Sequence, residues 1–220
     1  MANPTYIGKG TIATGTGTSV MPALPASLVN NDYLFLCVTL EGTGISIDAI
    51  TGWDIYDSAT FRDNSPTDVG VGAIYYREVD GTETTPTVSV SGGTPTQLAA
   101  VIYQFRGDGI HLIVEAITTK ADGDGGSTLT WDSVTVLGSS RTLVAILAQL
   151  DSNDPGTPTG YTNNASDTVD VMAIQVALEC SSLEGVSVGS SVTATGGSSN
   201  GWITFHIVLF NTTGKVFIVN

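Results

Sequence analysis

Residues 29–42 read VNNDYLFLCVTLEG: a polar turn that runs straight into an apolar strand. Residues 138–151 read GSSRTLVAILAQLD, with the same outline of small polar residues, an apolar run and a closing acid. Val29 and Gly138 stand 109 positions apart. Predominantly apolar runs of eight or nine residues bounded by turn residues have the length of a strand buried on both faces. The period and the turns decide the fold class. The recurrence raises the question of architecture.

Similar runs fill the chain. They lie at 71–79 (VGAIYYREV), 98–106 (LAAVIYQFR), 171–179 (VMAIQVALE) and 202–210 (WITFHIVLF), with shorter ones at 86–90, 112–117, 186–194 and 215–219. Between them stand GTG, DGT, SGG, GDG, NDPGTPTG and GGSSNG, the Gly/Asp/Asn/Pro punctuation of short strands. No stretch has the 3.6-residue period of an amphipathic helix. The expectation is an all-β chain built as a β-sandwich of jelly-roll or immunoglobulin-like type.

The halves align along their length. Residues 17–40 lie over 126–149 without a gap, TGW at 51–53 over TGY at 159–161, and AI at 73–74 over AI at 173–174. VSVSGG at 88–93 lies over residues 191–197, Phe105 over Phe210, and GIHLIV at 109–114 over GKVFIV at 214–219. This order predicts an internal duplication: unit 1 at 1–115 and unit 2 at 116–220, either in tandem or merged around one core. The terminal strand Lys215, Val216, Phe217, Ile218 and Val219 would be an aggregation hazard if left bare. It is expected to pair within its own sheet or to serve as a subunit contact by strand addition.

Composition narrows the function classes. Of 220 residues, 7 are Lys or Arg and 21 are Asp or Glu, a net charge of −14. Such a surface repels phosphate, so neither nucleic acid nor an anionic membrane is an expected partner. The N-terminus MANPTYIGKG has no apolar signal region, and no run reaches membrane-span length. Cys37 and Cys180 lie in apolar runs at non-equivalent places, as buried free thiols do.

Reactive constellations are sparse. The two histidines, His111 and His206, stand outside any recognisable Ser, Cys or Asp motif, and no GxSxG is present. ADGDGGS at 121–127 starts like a calcium loop, but its twelfth position is Ser133 where a closing Glu is needed. Arg106–Gly107–Asp108 closes a strand and reads as a turn. Trp53, Tyr56, Tyr75, Tyr76, Trp131, Tyr161 and Trp202 are candidates for a sugar-stacking face. No catalytic residue, cofactor site or metal site is expected, and the chain is not read as an enzyme.

The run PTYIGKGTIATGTGTSVMPALPASLVNNDYLFLCVTLEG (4–42), followed by TGW (51–53), GAIYYREVDGTETTPTVSVSGG (72–93) and VIYQFRG (101–107), resembles a group of tailed-bacteriophage virion proteins. Their pattern is a YVG.G start, a GTG…P.LP.G…GDLLLL strand, P.GW, a WRRA..GE..PTV segment and an AFRG close. The resemblance covers the first half directly and the second half through the repeat. Asn31 departs from it, standing where Gly is common. It implies a structural protein of the virion, assembled in the host cytoplasm. Capsid decoration (cement) is the first role, bridging the major capsid protein or other virion proteins as a self-associating dimer or trimer. The alternatives are a neck, tail or head-fibre component, or a host-surface carbohydrate-binding module.

Overall fold

A computed structural model describes residues 3–62, 69–108, 111–122, 128–138, 141–149, 156–171, 174–186, 191–195 and 201–212. The described residues are all-β, in antiparallel sheets, with no helix among them. The first large sheet has the order β1 (Thr5–Lys9), β9 (Gln97–Arg106), β4 (Tyr33–Glu41), β7 (Val69–Glu78), β6 (Asp54–Arg62), with β2 (Ala13–Gly15) also on β9. The second has the order β10 (His111–Asp122), β16 (Trp202–Thr212), β12 (Arg141–Gln149), β14 (Ile174–Val186), β13 (Thr162–Val171). Two small sheets accompany them: β3 (Ser19–Val20), β8 (Val88–Ser91) and β5 (Ser46–Ile47) in one, β11 (Thr128–Trp131) and β15 (Val192–Thr195) in the other.

The central strands are buried on both faces, which is why they read as unbroken apolar runs. Alternate residues of β4 divide between two cores. Phe35 and Cys37 join Val101, Tyr103 and Phe105 of β9 in a core shared with Val144, Ile146, Phe205, Ile207 and Leu209 of the second sheet. Leu34, Leu36, Val38 and Leu40 face the other way, against Val20, Val88, Val90 and Trp53. In the second sheet Leu143, Ala145 and Leu147 face outward against Leu129, Trp131, Val134 and Tyr161. The large sheets therefore lie face to face, each with a small sheet on its outer side. Trp131 Nε1 donates to Ile146 O (3.1 Å) and Thr204 Oγ1 to Thr130 O (2.7 Å), tying the outer layer to the inner one.

The two large sheets share one plan. β10 pairs with β16 as β1 pairs with β9, and the other strands correspond in order. Opposite Tyr33 stands Phe105, and opposite Thr142, 109 residues on from Tyr33, stands Leu209. Four bulges correspond as well: between Tyr6 and Gly8 in β1 and between Val114 and Ala116 in β10; between Ile55 and Asp57 in β6 and between Asn163 and Ala165 in β13; the irregularity where Arg141 and Thr142 meet β14 has no counterpart between β4 and β7. Across the interface β6 lies against β10 and β1 against β13, β9 against β14 and β7 against β16, β4 against β12, with β6 also touching β16 and β2 touching β13. Exchanging every strand for its counterpart maps the first five of these pairs onto one another, as an approximate pseudo-two-fold axis running along the strands would. Corresponding loops thus share an end, where Thr142 Oγ1 donates to Pro4 O and His111 Nδ1 meets Glu78 Oε1.

Three sequence expectations are adjusted by this register. β10 runs unbroken from His111 to Asp122, so the boundary expected after residue 115 lies inside a strand. The changeover between sheets falls between Arg106 and His111. Residues 111–114 open the second sheet as the counterpart of β1, because their partner is β16; residues 216–219, over which the sequence alignment lays them, lie outside the described residues. Phe105 corresponds to Leu209, both in the shared core, while Phe210 points outward beneath the Arg141 guanidinium, 4.6 Å from its ring centroid. A one-residue slip in a strand exchanges its faces.

Candidate functional site

The most elaborate polar cluster stands where the opening stretch turns into β4. Asn31 adopts φ 70°, the left-handed region that Asn tolerates better than most residues. The turn is held from both sides, with Asn31 N donating to Val79 O (2.8 Å) and Val79 N to Asp32 O (2.8 Å). Asp32 is 0 % exposed. Its carboxylate accepts from Val29 N (2.9 Å), Gln104 Nε2 (2.5 Å), Arg106 Nε (2.7 Å) and Arg106 Nη2 (2.8 Å). Burial alone would raise the Asp32 carboxyl, but the Arg106, Val29 and Gln104 donors outweigh it and hold it below its ordinary value. Gln104 Nε2 and Arg106 Nη2 also donate to Ser27 O (3.0 and 2.7 Å), so the cluster clamps the 27–32 turn onto the end of β9.

A shallow cleft beside this clamp is lined by Val29, Asn30, Asn31, Asp32, Arg106, Gly107, His111 and Leu112. His111 Nδ1 stands 2.5 Å from Glu78 Oε1. Both Asp32 oxygens are occupied, and no Ser, Thr or Cys is among the lining residues, so the cleft offers no activated nucleophile. The Arg106–Gly107–Asp108 tripeptide begins with a guanidinium committed to Asp32 and Ser27. Sequence reading gives Arg106 only as a turn residue. Its partner Asp32 lies 74 positions away and is united with it only by the β4–β9 pairing.

His206 is buried in the outer core of the second sheet. Nδ1 donates to Asp132 O (2.7 Å), which leaves Nε2 to accept from the Tyr161 hydroxyl (2.6 Å). Desolvation pushes the imidazole below its ordinary pKa despite the Asp132 contacts, so it is a neutral linker between β16, the start of β13 and the segment after β11. Of the aromatic candidates, Trp53, Tyr75, Trp131, Tyr161 and Trp202 are buried core residues. Tyr56 and Tyr76 are half-buried and stack on each other at 3.9 Å, and Tyr56 shares a 2.7 Å hydroxyl contact with Tyr33.

The charges are likewise used internally. Arg77 pairs with Asp80 and Glu83, Lys120 with Asp132 and Arg141 with Glu115. Among the described residues no three His, Cys, Asp or Glu side chains gather as a metal site. Residues 123–127 of the calcium-like loop and the Lys215–Val219 contact strand lie outside the described residues. No helix of the described residues is long and apolar enough to cross a membrane. A second cleft, at the far end of β4, is lined by Glu41, Gly42, Thr43, Ile45, Gly93, Thr94 and Thr96. Comparison with protein-family models, curated proteins and solved structures finds no match to this chain.

Proposed function

We propose that the chain is a structural protein of a tailed-bacteriophage particle, a capsid decoration protein made of two β-sandwich units that arose by internal duplication and merged around a shared core. The observation that carries this reading is the use to which the polar groups are put. Asp32, Arg106, His206, Tyr161, Arg141 and Glu115, the groups from which a reactive site would be assembled, are joined to one another or to backbone as struts of the fold. The common strand order, the matched bulges and the pseudo-two-fold packing support the duplication. The acidic, all-β character and the resemblance of residues 4–107 to phage virion proteins support the setting.

In this role the chain acts by burying surface against neighbouring capsid subunits, many times over one shell. Each contact adds to the stability of the assembled state by mass action, and several weak contacts made together add more than their separate strengths. The outermost described strands, β1, β6, β10 and β13, each carry a bulge. Bulges on outer strands oppose edge-to-edge polymerisation, a useful property for a protein displayed at high density. The test is quantitative mass spectrometry of purified particles against the major capsid protein. Copies comparable to the capsid protein are expected. A few copies per particle would move the protein to the neck, tail or fibre, and absence from particles would overturn the reading.

A further inference from the structure

The space between the large sheets is largely apolar, and polar side chains enter it at only a few places, one of them the far end of β4. Thr39 and Gln97 are there, both 0 % exposed. Strand alternation sends both toward the second sheet: Thr39 is two residues beyond Cys37 and Gln97 two before Ala99, and both reference residues belong to the shared core. Glu41, two further along β4, falls on the same face and stands directly opposite Gln97 in the β4–β9 register. Directly opposed residues have Cβ atoms about 4.5–5.5 Å apart. Residues i and i+2 of one strand are about 6.5–7 Å apart. Three oxygen-bearing side chains therefore meet on one small patch.

Neither Thr39 Oγ1 nor either end of the Gln97 amide has a hydrogen-bond partner in the protein, although all three atoms are buried. Buried polar groups are satisfied almost without exception, so this pair marks a place where something other than protein completes the bonding. Glu41 stands beside this pair and is itself only half-buried. It also lines the open cleft formed with Gly42, Thr43, Ile45, Gly93, Thr94 and Thr96. The donors are a hydroxyl, an amide carbonyl and a carboxylate, all hard oxygen ligands with no nitrogen or sulfur among them. Because neither end of the Gln97 amide is bound elsewhere, it is free to present its oxygen.

We propose that Thr39, Gln97 and Glu41 form a binding site for a hard divalent cation of the calcium–magnesium class, with water completing the coordination. The site contains a single carboxylate, with neutral oxygens supplying the other two ligands. A cation here would brace the end of the inter-sheet core and lower the cost of burying Gln97. The net charge of −14 favours its capture at modest free concentrations.

The test is thermal unfolding of the full chain in chelator, in calcium chloride and in magnesium chloride, at matched ionic strength. A rise in Tm of about 5–10 °C is expected at a hundredfold excess over the dissociation constant. A Thr39→Val, Gln97→Leu double variant should fold in chelator, because removing both unmatched polar groups with little change of volume is nearly neutral. It should lose the divalent response. Equilibrium dialysis with elemental analysis gives a second readout: one divalent ion retained per wild-type chain, none by Glu41→Gln. No divalent-dependent shift in the wild type, an equal shift in the double variant, or undiminished retention by Glu41→Gln would each overturn the site, the last two by assigning the ion to the acidic surface.

Discussion

Gly72 gives the most direct test of the face-to-face packing. It lies on β7, and a Cβ built there would sit 2.2 Å from Cγ2 of Ile203 on β16 of the other large sheet. Carbon atoms in contact stand about 3.5–4.0 Å apart, so Gly72→Ala demands a local separation of more than about 1 Å. Ile203 yields poorly, because a β-branched side chain has little χ1 freedom. Overpacking of this kind costs about 1–3 kcal/mol. For a chain of this size that is a fall in Tm of roughly 2–12 °C. Ile203→Ala alone should cost about 2–5 kcal/mol as a cavity. The double variant places the new methyl in the space the isoleucine leaves, so it should be less damaged than the sum of the singles by at least about 1 kcal/mol. Denaturant unfolding of the four proteins measures this coupling. Strict additivity would show that the two residues do not meet and would refute the shared core.

Other outcomes follow from the polar struts. Arg106→Ala leaves the buried Asp32 carboxylate without its cation and should cost about 3 kcal/mol, the low end for a buried pair because Arg106 is partly exposed; a change below about 0.5 kcal/mol in denaturant melts would contradict the clamp. The Asp32 carboxyl is lowered on folding, so this clamp stabilises above the ordinary value of 3.8 and is lost as pH falls through the folded value. The His206 imidazole is also lowered, so the unfolded chain takes up its proton first and stability declines as pH drops below 6.5. His206→Gln should flatten the melting profile between pH 7 and 5, and parallel profiles would rule the linkage out. Burial raises the Cys37 thiol far above its ordinary range. In a Cys180→Ser background, a disulfide reagent at pH 8 should therefore react only after denaturant is added, and prompt reaction of the folded chain would contradict the buried position.

Legibility in the sequence followed burial. β4, β7, β9, β12 and β16 were readable because core covers both of their faces and most of their central positions are apolar or small. β6 (DIYDSATFR) and β13 (TNNASDTVDV) were not, although each pairs along a full strand length. They are the outermost described strands of their sheets, and polar residues interrupt the alternation that would announce them. The alignment of the halves agrees with the strand pairing at β4 and β12, where Tyr33 and Thr142 hold equivalent positions, and departs from it by one residue at Phe105 and Phe210. Only pairing partners distinguish one register from the next in an unbroken apolar run. The Asp32–Gln104–Arg106 clamp could not be read, since its members are ordinary residues brought together by strand pairing across more than seventy positions.

The shared core also imposes a schedule on synthesis. The first large sheet has all its strands once Arg106 has emerged, but the face carrying Phe35, Val101 and Phe105 stays bare until β16 ends at Thr212. At about 5–20 residues per second the wait is roughly 5–20 s. During it the best-fitting surface within reach can be the same sheet of a neighbouring nascent chain, since the missing half has the same plan. Chains that exchange halves are therefore the characteristic misassembly of this architecture. Refolding over a range of concentrations should reveal them as dimers on size-exclusion chromatography that persist after dilution, and purely monomeric refolding at high concentration would show that the second half recognises the first too quickly for exchange.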